Sequence, residues 1–267
     1  MTIAIHLLQR AAPAMIALAA LGIASAAAQG PDPSRRWSAT LGVGALVAPE
    51  YEGSDKMEVR PLPLIDARWT VGYPGMQQVF LSTEQGLGVQ FFDIGGFSLA
   101  ASVNYDPGRD QDDGDRLRGL GDIDPGASLR LTGAYRYQGF RVGLVAGRTF
   151  GGADGVQVDG SASYTHQFGS RFSLTGSAGI VWADSNYMEG YFGVSRQQSV
   201  RSGLAPYEAE AGFKSARIAL TGRYALSQQW GLRATVGVSQ LLGDAADSPI
   251  VEEKVQPFAL VGVTYTF

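Results

Sequence analysis

Trp37-Ser38-Ala39-Thr40-Leu41-Gly42-Val43-Gly44-Ala45-Leu46-Val47 reads with a period of two. Trp37, Ala39, Leu41, Val43, Ala45 and Val47 fall on one face of an extended strand, and Ser38, Thr40, Gly42 and Gly44 on the other. The same alternation returns along the chain. Val59, Pro61, Pro63, Ile65, Ala67 and Trp69 oppose Arg60, Asp66 and Arg68, and comparable runs begin at Phe97, Ala127, Phe140, Val156, Phe172 and Trp230. With shorter runs near Val79 and Val89, one over 214–226 and the run that ends at Phe267, about twelve strands are expected, an even number as closed bacterial barrels require. Ser, Thr, Gly and Arg recur on the second face, so the alternation separates an apolar outside from a polar inside.

The composition agrees with an all-β antiparallel transmembrane barrel. Of 267 residues 36 are Gly, 45% are hydrophobic and only 17% are charged, a balance that fits many strands and turns and speaks against disorder. With no Cys, disulfide frameworks and thiolate metal sites are excluded. A formal charge of −4 offers no basic footprint, so nucleic acid is not an expected partner.

Connections and aromatics point to a bilayer. Short turns at Asp93–Gly96, Gln138-Gly139, Gly169-Ser170 and Ser227–Gln229 alternate with long loops at 106–125, 184–207 and 243–254, the asymmetry of periplasmic turns against outer loops. Trp37, Trp69, Phe97, Tyr137, Phe140, Phe168, Phe172, Tyr224, Trp230 and Phe267 stand at the short-turn ends, as an interfacial girdle would. After Gln29 no apolar run approaches the ~20 residues of a membrane helix. Before it, Arg10 precedes an Ala- and Leu-rich run that closes on Ala26-Ala27-Ala28, which reads as a secretory signal peptide over 1–28, cleaved near Ala28, with a barrel domain over 29–267. The expected location is the Gram-negative outer membrane, with its lipid as solvent. Val261, Val263, Tyr265 and Phe267 share one face of the last strand. Tyr265 and Phe267 there resemble the terminal signal that such barrels present to the barrel assembly machinery.

Pro49-Glu50-Tyr51-Glu52-Gly53-Ser54-Asp55, then Arg60-Pro61-Leu62-Pro63, resemble the opening of the MipA/OmpV family of MltA-interacting outer-membrane proteins. Gly121-Asp122-Ile123-Asp124, the segment Tyr187-Met188-Glu189-Gly190-Tyr191-Phe192-Gly193-Val194, Ser202-Gly203 and Leu241 to Val251 continue the likeness in order. The resemblance implies an outer-membrane barrel whose best-known relative is a non-catalytic scaffold joining a murein lytic transglycosylase to a murein synthase, and so a scaffold role is expected here. Other members are described as adhesins or envelope-stress proteins. Structural readings stand beside it: Tyr51 and Glu52 belong to a tight loop that either shapes the fold or makes contacts, and Tyr187, Tyr191 and Phe192 either plug the mouth or form a contact surface. Pro61 and Pro63 remove ladder donors and predict local irregularity in the second strand.

Catalysis has little to draw on. Outer-membrane phospholipases, deacylases and proteases use histidine, and after Ala28 the chain has only His166, on the outward face with Tyr164 and Phe168. Neither a catalytic set nor a metal or cofactor site is expected. The inward face is more informative: extrapolated alternation aims Arg60, Arg68, Arg130, Arg136, Arg141, Arg217, Arg223 and Arg233 at the lumen, with Asp66 the clearest inward acid. Such a lining either favours anions, as in a pore for anions or sugar acids, or is packed against partners.

Overall fold

In the computed structural model the described residues are 36–267, so the signal-peptide reading of 1–28 and the boundary at residue 29 lie outside them. The strands are β1 (Trp37–Pro49), β2 (Met57–Tyr73), β3 (Met76–Ser82), β4 (Gly86–Ile94), β5 (Phe97–Asp106), β6 (Gly126–Tyr137), β7 (Phe140–Phe150), β8 (Gly155–Phe168), β9 (Phe172–Ala183), β10 (Gly212–Ala225), β11 (Trp230–Leu241) and β12 (Val255–Thr266). Each pairs antiparallel with its sequence neighbours, and β12 returns to β1 to close a twelve-strand barrel. Closure gives every strand a neighbour on both sides, and all but β2 are paired on both along most of their length, as a bilayer demands of backbone donors and acceptors.

Exposure follows the alternation. Val43, Val59 and Val142 are exposed on the outside, whereas Leu46, Arg60 and Ser128 are buried on the inside. A continuous band of exposed Leu, Val, Ile and aromatic residues of this kind belongs in lipid. The barrel is an outer-membrane protein. Both ends of its sheet and the short turns share one end, which by the asymmetry of such barrels is periplasmic. The long connections share the other and carry two short 3₁₀ turns (Gln111–Asp113 and Asp115–Leu117) and three helices, α1 (Ser185–Phe192), α2 (Arg196–Ser202) and α3 (Gly243–Asp247).

One hairpin breaks the uniform height of the wall. β3 has 7 residues and β4 has 9, against 17 in β2, and β2 pairs with β3 only from Asp66 downward. Thr83 finishes that ladder: its N–H donates to the Ile65 carbonyl (3.0 Å), its hydroxyl donates to the Pro63 carbonyl (2.8 Å), and the Ile65 N–H donates to its Oγ1 (2.9 Å). Beyond this point β2 runs on with β1 alone. Pro61 and Pro63 stand in that stretch and share the parity of Ile65, so their missing N–H groups face the open side. The irregularity expected of the prolines is therefore absent: β1 and β2 stay in register from Trp37↔Trp69 to Pro49↔Met57. The prolines leave the β1 ladder untouched and blunt an edge that would otherwise present donors to lipid or to another strand.

Candidate functional site

Two regions concentrate chemistry, the outer mouth and the lumen. At the mouth, Asp184 caps α1 by accepting from the Tyr187 N–H (2.9 Å). Tyr187, Met188, Tyr191 and Phe192 then fall on one helix face at i, i+1, i+4 and i+5, and all are buried, against Ala183, Ala209, Leu241, Ala245 and Ala246. Gly155 permits this docking, because a Cβ there would lie 2.6 Å from the Tyr187 Cβ. A second cluster joins Tyr51 to Leu117, Leu120, Val194 and Ile250. The loops around residues 51, 117, 190 and 250 are thus one cap, with apolar centres of its own.

Polar groups thread the cap. Lys214, 1% exposed at its side chain, donates to Glu52 (2.7 Å) and sits 5.2 Å from the Tyr187 ring centroid. Arg109 donates to the Tyr191 carbonyl (2.6 Å), and the Tyr191 hydroxyl donates to Asp106 (3.3 Å). The Tyr51 hydroxyl donates to Glu252 (2.8 Å). Burial pushes the phenols of Tyr51, Tyr187 and Tyr191 well up. Of the loop residues that sequence singles out, then, Tyr51, Tyr187, Tyr191 and Phe192 are core of the cap, and Glu52 is spent on Lys214. Lys214 escapes the alternation because a bulge between Phe213 and Ser215 turns it inward.

In the lumen the arginines divide into paired and unpaired. Arg60 pairs with Glu58 (2.7 Å), Arg68 with Asp66 (2.7 Å), Arg233 with Glu84 (2.8 Å), Arg136 with Asp93 and Arg217 with Asp159. Arg130 and Arg141 have no hydrogen bond or ion pair to any described residue. Register adds a feature that composition hides: Arg136 stands directly across from Arg141, and Arg223 directly across from Arg233. Glu84, Asp93 and Asp159 are partners that sequence reasoning passed over. Asp159 follows the inward parity of β8 and was available to it; Glu84 lies in the β3–β4 turn, 149 residues from Arg233, with no local signal.

The remaining singled-out residues lie at the periplasmic rim. Tyr265 meets Trp230 edge-on at 5.1 Å and Phe267 at 4.8 Å, and the Phe267 N–H donates to the Ala39 carbonyl (3.0 Å). His166 is exposed on the outer face, edge-on to Phe168 at 4.5 Å. Among the described residues no three His, Asp or Glu side chains gather as a metal set.

The sequence profile of MipA, the MltA-interacting protein, matches residues 41–267. The MltA-interacting protein of Escherichia coli K12 is 28% identical over 255 residues, covering 94% of this chain and 98% of that one. YiaT of Escherichia coli K12, which carries an outer-membrane-protein name, is 28% identical over 236 residues, 85% of this chain and 90% of its own. Among solved structures, OmpT of Vibrio cholerae is similar over 86% of this chain and 97% of its own, at 9% identity and a TM-score of 0.42.

Proposed function

The chain belongs to the MipA family of MltA-interacting proteins, and from that premise we propose that it is a non-catalytic outer-membrane scaffold that holds a murein lytic transglycosylase near a murein synthase. The family is named for an interaction and not for a reaction, and the observation that carries the proposal is the match over nearly the whole barrel. Murein lies on the periplasmic side, so the partner surface is assigned to the short-turn end. The β2–β3 hairpin there runs past the Trp37↔Trp69 level to a turn at Tyr73–Met76, and Tyr73 is 71% exposed, with Ile94 at 68% on the next hairpin. An exposed ring beyond the aromatic rim, with Ile94 at the rim beside Phe97, suits a protein partner better than water.

Crosslinking in intact cells from photoreactive residues at positions 73 and 94 tests this. Capture of a murein-cleaving and a murein-building enzyme is the expected result. Capture of neither, with the barrel normally assembled, overturns the scaffold reading.

A further inference from the structure

Arg136 with Arg141 on β6/β7, and Arg223 with Arg233 on β10/β11, are like charges placed directly opposite each other, an arrangement that destabilises a sheet unless an anion sits between or beside them. Asp93 serves Arg136 and Glu84 serves Arg233, yet Arg141, within the field of Glu84, makes no ion pair or hydrogen bond with any described residue. Two further nitrogens of Arg233, Nε and Nη2, are buried without a partner. Between the two arginine pairs lie only β8 and β9, and at that level their inward residues are small hydroxyls beside Gln167: Arg141 aligns with Ser163, Ser163 with Ser177, Thr165 with Thr175, and Ser173 with both Gln167 and Arg223. Ser161, Ser163 and Ser177 are half-buried on the lumen side, and the hydroxyls of Ser161 and Ser163 make no hydrogen bond within the described residues. The Arg141 guanidinium leans along the wall toward Ser161, over Gly143, where a Cβ would approach its Nη1 to 3.2 Å.

We propose that this hydroxyl floor between two guanidinium pairs is a binding site for a small sugar acid, a carboxylate carried on a hydroxylated ring. Guanidinium forks receive the carboxylate bidentately, and the serine and threonine hydroxyls, each both donor and acceptor, meet the ring hydroxyls. The cap covers the outer mouth, so the ligand enters from the periplasmic end, where Arg136 is 49% exposed at its side chain. The site is a cup in the lumen and not a through-pore. It is independent of the scaffold role, which rests on the outer surface of the turns.

The test is titration calorimetry of the purified full barrel in detergent with glucuronate, glucose and acetate as probes. Glucuronate is expected to bind, with glucose (hydroxyls without charge) and acetate (charge without hydroxyls) each at least about tenfold weaker. Arg141→Gln strands no acid, so it is expected to keep heat-modifiable gel migration and to weaken glucuronate by about tenfold or more. Ser163→Val is expected to weaken glucuronate and leave acetate unchanged. Equal binding of acetate and glucuronate overturns the sugar-acid assignment, and so does equal binding of glucose. Undetectable glucuronate binding, or binding indifferent to Arg141→Gln in a folded variant, overturns the site itself.

Discussion

Glu84 shows how much of the interior depends on single charges. Its side chain is 6% exposed and holds Arg233, itself 11% exposed, at 2.8 Å across the lumen from a turn that is short enough to stay at mid-wall. Glu84→Gln leaves a buried guanidinium without its counter-charge, and breaking such a pair costs about 3–5 kcal/mol. The gel-shift temperature should fall clearly. Arg233→Met added to Glu84→Gln should recover part of the loss, because removing both charges is far less costly than removing one; a double variant as unstable as the single one would show that the pair is not the stabilising unit. The cap tyrosines make a second residue-scale prediction. Their folded-state affinity for the proton is raised, so native Tyr51, Tyr187 and Tyr191 keep protons that the unfolded chain releases above about pH 10. Stability of the cap is therefore full below that pH and declines above it. Tyrosinate absorbance should appear together with protease sensitivity of the 184–211 loop, and Tyr187→Phe should move this alkaline transition upward.

At the scale of elements, strands were readable and their tops were not. Val43, Val59, Leu129 and Val236 announce lipid-facing positions because a strand puts every second side chain on one surface, whatever its neighbours are. Nothing local in Thr83-Glu84-Gln85 states that the wall is low there, and Pro61 and Pro63 could be read as defects until the missing neighbour of β2 was seen. The arginines carry the same lesson: their inward parity was legible at Arg141 and Arg223, but facing partners such as Arg136 and Arg233 emerge only from register between strands. Packing of α1 is a tertiary event, set by Gly155 on β8, more than thirty residues before Tyr187. Gly155→Val puts side-chain atoms where the Tyr187 backbone lies (2.7 Å from its N), so α1 should lift from the mouth. The expected outcome is a correctly assembled barrel with faster uptake of large hydrophilic antibiotics and cleavage within Ser185–Phe192. An assembled variant with unchanged uptake and cleavage would mean that the mouth tolerates the displacement.

For the whole molecule the decisive step is closure of β12 on β1. The pair runs in register from Thr40↔Thr266 to Val47↔Ala259, and it is the pairing of greatest sequence separation in the barrel, so it carries the largest loop-closure cost and determines whether any edge is left to lipid. Phe267 contributes at that seam twice: its N–H donates to Ala39, and its ring extends the row Trp230, Tyr265, Phe267 along the periplasmic rim. His166 sits at a comparable height, its ring edge-on to Phe168 and opposite Leu174, on strands already paired on both sides. Deleting Phe267 should therefore lower the amount of heat-modifiable barrel in the outer membrane several-fold, while His166→Ala leaves it near the wild-type level, both read by gel shift of membrane fractions. The comparison separates assembly from stability if the Phe267 deletion is also refolded in detergent. One backbone hydrogen bond and one rim contact are worth only about 1–2 kcal/mol to a finished barrel, so a deletion that melts close to wild type in vitro and still fails to accumulate in cells assigns Phe267 to recognition by the assembly machinery. Equal outer-membrane levels for the deletion and the wild type would remove that assignment and leave Phe267 as a rim aromatic like Trp230.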